Sequence, residues 1–139
     1  MDGVIVDGSV AVAWCFPDEK GEYPESVLDS LTSAGAIVPS LWSLEVANAL
    51  LMGERRKRST PEGTAKSVQF LESLPINVDD ATAPQAFGHT LHLARAHNLS
   101  AYDASYLELA IRRGLPLASL DEKLKAAATV VGVALYTAI

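Results

Sequence analysis

Five short apolar runs punctuate this chain: Val4-Ile5-Val6, Ala36-Ile37-Val38, Ile76-Asn77-Val78, Pro116-Leu117-Ala118 and Val133-Ala134-Leu135-Tyr136. The first four each lead through a turn into a pattern with helical spacing. Short runs rich in β-branched and aliphatic residues, without alternation, suit strands covered on both faces. The intervening patterns predict helices over residues 9–16, 24–34, 41–56, 60–74, 82–97, 100–113 and 121–130. Their ends are marked locally. Gly35 and Gly114 stand where helix C-termini need them. Thr60-Pro61-Glu62 reads as an N-cap, a first-turn proline and an acidic first turn. Thr82 with Gln85 fits a capping box. Strands alternating with helices predict an α/β domain around a mainly parallel sheet of about five strands. Such sheets bind ligands beyond their carboxyl ends, where the strand order switches. The order itself cannot be read from the sequence.

The length, 139 residues, suits a single domain over residues 1–139, large enough to hold a core without disulfides. Cys15 is the lone cysteine, which excludes an internal disulfide and favours a reducing compartment. Its setting, Trp14-Cys15-Phe16, reads as core. No stretch approaches the roughly 20 apolar residues that span a bilayer, and no signal peptide opens the chain. A cytoplasmic protein is expected. The formal net charge of −6 argues against passive nucleic-acid binding, which depends on neutralising phosphates. Carboxylates that hold divalent cations reverse that local sign.

Four acids stand where such a role is possible. Asp7 directly follows the first run, and Asp121 follows the fourth through Ser119-Leu120. Each is either an N-cap or a group aimed at the sheet's carboxyl end. Glu45 lies in Leu41-Trp42-Ser43-Leu44-Glu45-Val46-Ala47-Asn48-Ala49-Leu50-Leu51-Met52, where only Ser43, Glu45 and Asn48 are polar. A helix so apolar is expected to be buried on most sides. Glu45 then occupies either a narrow solvent stripe or a polar pocket, with Asn48 beside it on the same face. Asp103 comes three residues after Ser100 and either favours the helix N-terminus or faces the same sheet end. Four acids at comparable positions would repel one another, and Mg²⁺ or Mn²⁺, which prefer hard oxygen ligands, would relieve the repulsion. A metal so held can activate water and stabilise charge on a phosphoryl group.

At these residues the chain resembles the PIN-domain family, in particular its branch of VapC toxin ribonucleases from type II toxin–antitoxin systems. Residues 4–14, 39–50, 99–107 and 115–124 carry the likeness, each around one acid and in the family's order. The resemblance implies a three-layer α/β/α fold and a Mg²⁺- or Mn²⁺-dependent endoribonuclease. It places Asp7, Glu45, Asp103 and Asp121 around the metal, with Asp7 and Asp103 foremost as direct ligands. Ser9, Asn48 and Ser119 match polar positions beside the site. A homodimer and a VapB-type antitoxin are implied as partners, held by apolar surface that the first two helices and the Glu45 helix carry in excess of one core. Gly8 departs from relatives that carry a side chain there, which is expected to loosen the turn after Asp7.

Other features are weaker. Arg55-Arg56-Lys57-Arg58 is the densest basic run and reads either as a solvated helix end or as an RNA phosphate track. His89 and His92 share a helix face without a further metal ligand nearby. His97 suits a helix C-terminus. Two other functions compete. One is a phosphatase using Asp7 as nucleophile, although position 9 is Ser where haloacid-dehalogenase-type phosphatases carry a second Asp. The other is a binding module whose acids are only helix caps.

Overall fold

The structure is a computed structural model that describes residues 3–137. Strands β1 (Val4–Val6), β2 (Ala36–Val38), β3 (Ile76–Val78) and β4 (Leu117–Ala118) form a parallel sheet in the order β3-β2-β1-β4. Ile5 pairs with Ile37 on one side and Leu117 on the other, so β1 is central. Ile5 and Val6 are fully buried, as expected of strands covered on both faces.

The fifth run forms only an isolated parallel bridge, Leu135 to Leu117. Strand β4 is two residues long and offers little edge to extend. The segment is anchored through Tyr136 instead. The Tyr136 hydroxyl donates to Ser26 O at 3.1 Å, and Tyr23 donates to Tyr136 O at 2.9 Å.

Helices α1 (Gly8–Cys15) and α2 (Glu22–Ala34) connect β1 to β2, and α3 (Trp42–Arg55) and α4 (Pro61–Glu72) connect β2 to β3. Helices α5 (Thr82–Gln85), α6 (Leu91–His97) and α7 (Ala101–Arg113) lead to β4, and α8 (Glu122–Val131) follows it. Right-handed crossovers put α1–α4 on one face. The return past β1 to β4 puts α6–α8 on the other, which makes three layers. The first crossovers step from β1 toward β3, while the last steps outward beyond β4. The switch in direction therefore falls between β1 and β4, where α/β folds open a crevice.

Two helices differ from expectation. Residues 82–97 are not one helix, because a π-helical turn at Ala86–Thr90 separates α5 from α6. No capping box forms there. Thr82 Oγ1 instead accepts from Ser40 N at 2.9 Å, and Asp79 Oδ2 accepts from Ala81 N at 3.0 Å. The second is α3, which is not buried on most sides. Trp42, Val46, Leu50 and Gly53 face inward, but Leu44 is 77% exposed. Its apolar character reflects a buried face and a second, unpartnered one. At Gly53 a Cβ would lie 2.5 Å from Cζ of Phe16, so glycine lets α3 approach the end of α1.

Candidate active site

Each of the four acids is presented by a different element at the carboxyl end of the sheet. Asp7 extends β1 by one residue, its N donating to Ala118 O at 3.0 Å. It occupies the N-cap position of α1, yet its side chain makes no capping hydrogen bond. Oδ2 accepts from Ser9 Oγ and from Ser119 Oγ, both at 2.8 Å. Those hydroxyls are themselves fixed, since Ser9 Oγ accepts from Leu120 N and Ser119 Oγ from Asp121 N, both at 3.0 Å. The two turns leaving β1 and β4 are thus tied together through one carboxylate that is 6% exposed.

Asp121 serves in both of the ways its sequence position allowed. Its Oδ1 caps α8 by accepting from Lys123 N at 2.9 Å and Leu124 N at 3.2 Å, and the side chain also lines the cleft. Ser100 caps α7 by accepting from Asp103 N at 3.0 Å, and the Asp103 carboxylate lies at the cleft wall. Glu45, in the first turn of α3, is half-buried, and its Oε1 accepts from the hydroxyl of Tyr106. The cleft holds about 260 Å³ and is lined by these acids with Gly8, Ser9, Val12 and Ala49. Asn48, three residues along α3 from Glu45, is exposed and is not among the lining residues. Gly8 starts α1 and is buried; a Cβ there would make ordinary contacts, 3.5 Å from Glu45 Oε1 and 3.7 Å from the Tyr106 hydroxyl.

The acids feel one another. Burial is the largest influence raising the carboxyls of Asp7, Glu45 and Asp103 above their ordinary values. Charge adds to it: Asp121 acts on Asp7, Asp7 and Asp103 act on Glu45, and Asp7 and Asp121 act on Asp103. Ser119 and Ser9 oppose the shift at Asp7, Tyr106 opposes it at Glu45, and Ser100 and Lys123 oppose it at Asp103. Carboxyls with raised folded values hold extra protons in the folded state, so stability falls as pH rises from their unfolded values through the folded ones. Metal-free protein is therefore expected to melt at higher temperature as pH is lowered from neutral toward the ordinary carboxylate values. Mn²⁺ at pH 7 should raise the melting temperature as well. Melting curves with EDTA or Mn²⁺ check this. A melting temperature that drops over that range and ignores Mn²⁺ contradicts a mutually repelling cluster.

The donors suit a hard divalent cation, since all are carboxylate oxygens and their mutual repulsion is what such an ion removes. Among the described residues, no three His, Cys, Asp or Glu side chains already form a closed ligand set. Mg²⁺ does not require one, because it keeps several waters and takes one or two carboxylates. The residues present fit the ion on those terms.

The basic run divides. Arg55, Arg56 and Lys57 are exposed at the end of α3. Arg58 instead pairs with Asp18 at 2.9 Å and Glu19 at 2.8 Å, with its guanidinium 4.2 Å from the centre of the Phe16 ring. Among the described residues, Arg58 thus differs from its three neighbours in already having acidic partners. His89 and His92 are exposed, and Cys15, the last residue of α1, is partly buried against the core with its thiol donating to Ala11 O of the preceding turn at 3.5 Å.

Two features went unrecognised in the sequence. Tyr106 lies one helical turn after Asp103, but its aromatic side chain reads as core. The second is an ion cluster. Asp79 and Glu108 are buried carboxylates held by Arg112, at 2.8 and 2.7 Å, with Arg113 3.1 Å from Asp79. The i,i+4 spacing of Glu108 and Arg112 was visible. The third partner, from beyond β3, was not.

The comparisons agree with this architecture. The PIN domain profile matches residues 4–130. A curated relative, Ribonuclease VapC3 of Pyrobaculum aerophilum, is 27% identical over 125 residues, covering 87% of this chain and 91% of its own. Among solved structures, the crystal structure of PAE2754 from Pyrobaculum aerophilum superposes with a TM-score of 0.67 at 23% identity, covering 91% of this chain and 79% of that one. At that identity the superposition speaks for the fold. With acids from β1, α3, α7 and the turn after β4 gathered at the switch between β1 and β4, and with a profile match over nearly the whole chain, this protein belongs to the PIN-domain family.

Proposed function

We propose that this chain is a Mg²⁺- or Mn²⁺-dependent endoribonuclease, the toxin of a VapBC-type pair, built as one PIN domain and acting in the cytoplasm. The observation that carries the reading is the cleft itself, in which four carboxylates from separate elements converge at the end of the sheet. Family membership and the name of the curated relative support it. Asp7 and Asp103 hold the ion directly, and Glu45 and Asp121 complete its shell or orient the attacking water. Ser9 and Ser119 keep Asp7 in place. When bound, the metal activates water and stabilises charge on the phosphoryl oxygens. The test is cleavage of a labelled RNA pool by antitoxin-free protein with Mg²⁺, Mn²⁺ or EDTA, beside Asp103→Asn. Discrete fragments that need metal and vanish in the variant support the reading. Folded wild-type protein that cleaves nothing in either metal refutes it.

RNA must approach a chain of net charge −6. Arg55, ten residues along α3 from Glu45, stands about 15 Å away by helical rise. With Arg56 and Lys57 it offers a positive track leading from the cleft. Neutralising the three should weaken RNA binding and reduce the slope of log affinity against log salt by about 2, at roughly 0.7 per phosphate contact on a single strand. An unchanged slope in a salt titration removes the track.

The antitoxin is expected in the apolar groove of about 190 Å³ between α3 and α4, where Trp42, Val46, Leu50, Val68 and Leu71 meet. A homodimer is expected to cover exposed apolar residues such as Phe87, which is 93% exposed. A monomer by light scattering would exclude the dimer.

A further inference from the structure

We propose that Tyr106 is a positioning residue for Glu45: its hydroxyl tethers one carboxylate oxygen so that the other is presented to the metal cleft. The inference rests on the metal-nuclease reading above. Tyr106 is fully buried in α7 and its ring belongs to the core. Its hydroxyl reaches across to α3 and donates to Glu45 Oε1. Glu45 is thereby gripped on one oxygen, with Oε2 making no hydrogen bond to the protein among the described residues. The start of α1 passes beside the pair, since an ideal Cβ on Gly8 would lie in ordinary contact, 3.5 Å from Oε1 and 3.7 Å from the Tyr106 hydroxyl.

A tether at this place has a purpose that core packing does not explain. Glutamate has three side-chain torsions, and Glu45 projects from a helix whose neighbouring residues Ser43, Leu44, Ala47 and Asn48 are exposed. Asp7 is held by two serine hydroxyls, and Asp121 by two backbone N–H groups. For Glu45 the tyrosine hydroxyl takes that part. Hydrogen bonds that orient metal-binding carboxylates act through the ligand, and losing one weakens metal binding without removing a donor.

Tyr106→Phe removes the hydroxyl and keeps the ring. Mn²⁺ binding to the antitoxin-free protein, followed by the loss of the free-ion electron paramagnetic resonance signal, is compared for wild type, Tyr106→Phe, Glu45→Gln and the double variant, with melting temperatures beside them. The expected result is a Mn²⁺ dissociation constant roughly 10- to 100-fold higher for Tyr106→Phe. In the Glu45→Gln background the same change should have no further effect, because the hydroxyl acts through Glu45. A general loosening of the core would weaken binding equally in both backgrounds, and that outcome overturns the proposal. So does Tyr106→Phe with wild-type Mn²⁺ affinity. If wild type binds Mn²⁺ and cleaves RNA while Tyr106→Phe binds normally, the tether alone fails. If wild type does neither, the metal reading fails and the tether with it.

Discussion

Replacing Asp7 by Asn is expected to lower metal-dependent RNA cleavage by about 10³-fold or more, since a bound metal supplies several kcal/mol of transition-state stabilisation. The same change should leave the protein as stable as wild type, or more so. Burial and the nearby Asp121 raise the Asp7 carboxyl, so its ionised form burdens the metal-free fold at neutral pH. Asparagine removes that burden, and its amide oxygen can still accept from Ser9 and Ser119 as Oδ2 does. Activity and stability should therefore separate in opposite directions. Cleavage rates with saturating Mn²⁺ and melting temperatures without metal check this together. A large loss of stability alongside the loss of activity would mean that Asp7 is chiefly a structural residue, as the helix-cap reading has it.

Arg112→Ala is the second large effect, on folding rather than chemistry. Arg112 grips Glu108 through Nε and Asp79 through its terminal nitrogens. Asp79 and Glu108 are 3% and 2% exposed, while the arginine keeps partial contact with solvent. Deleting the cation leaves two buried carboxylates short of a partner. Such losses cost about 3–5 kcal/mol. Arg113 still reaches Asp79, so the lower end is expected, a fall of roughly 10 °C in melting temperature. Arg112 and Arg113 hold the Asp79 carboxyl well below its usual range. Its contribution is therefore present above the unfolded value near 4 and is lost as pH falls below it. That sign is opposite to the cleft acids. Replacing Asp79, Glu108 and Arg112 together by uncharged residues of similar size should recover most of the loss. A melting temperature within 2 or so degrees of wild type for Arg112→Ala, less than about 1 kcal/mol, would show the cluster to be a surface ion pair in its energetics.

The contrast between the two cases explains what the sequence made legible. Asp7 and Asp121 were readable because strand, turn and acid are local, and a parallel sheet places every such turn at one end. Asp103 followed from its capping serine. The convergence of the four on one cleft needed the strand order, which follows from crossovers that no local pattern encodes. Glu45 drew notice as a charge in an apolar helix, but the reason offered was incomplete. The outward face of α3 carries exposed apolar residues such as Leu44 and Leu51, Asn48 lies in the open among them, and Glu45 with Ala49 lines the cleft. The Thr82 capping box failed because Asp79 and Ser40 claim the same turn from outside it. Residues 133–136 have the composition of a strand, yet only Leu135 pairs, since two residues of β4 leave little edge to extend.

The most direct test of the central claim is the anomalous difference density of crystals grown or soaked with Mn²⁺. The account predicts a peak in the cleft at the carboxyl ends of β1 and β4, with Asp7 and Asp103 among its ligands and Glu45 and Asp121 bound directly or through water. Mn²⁺ located elsewhere on the protein, with these four carboxylates bound only to one another and to solvent, would contradict it.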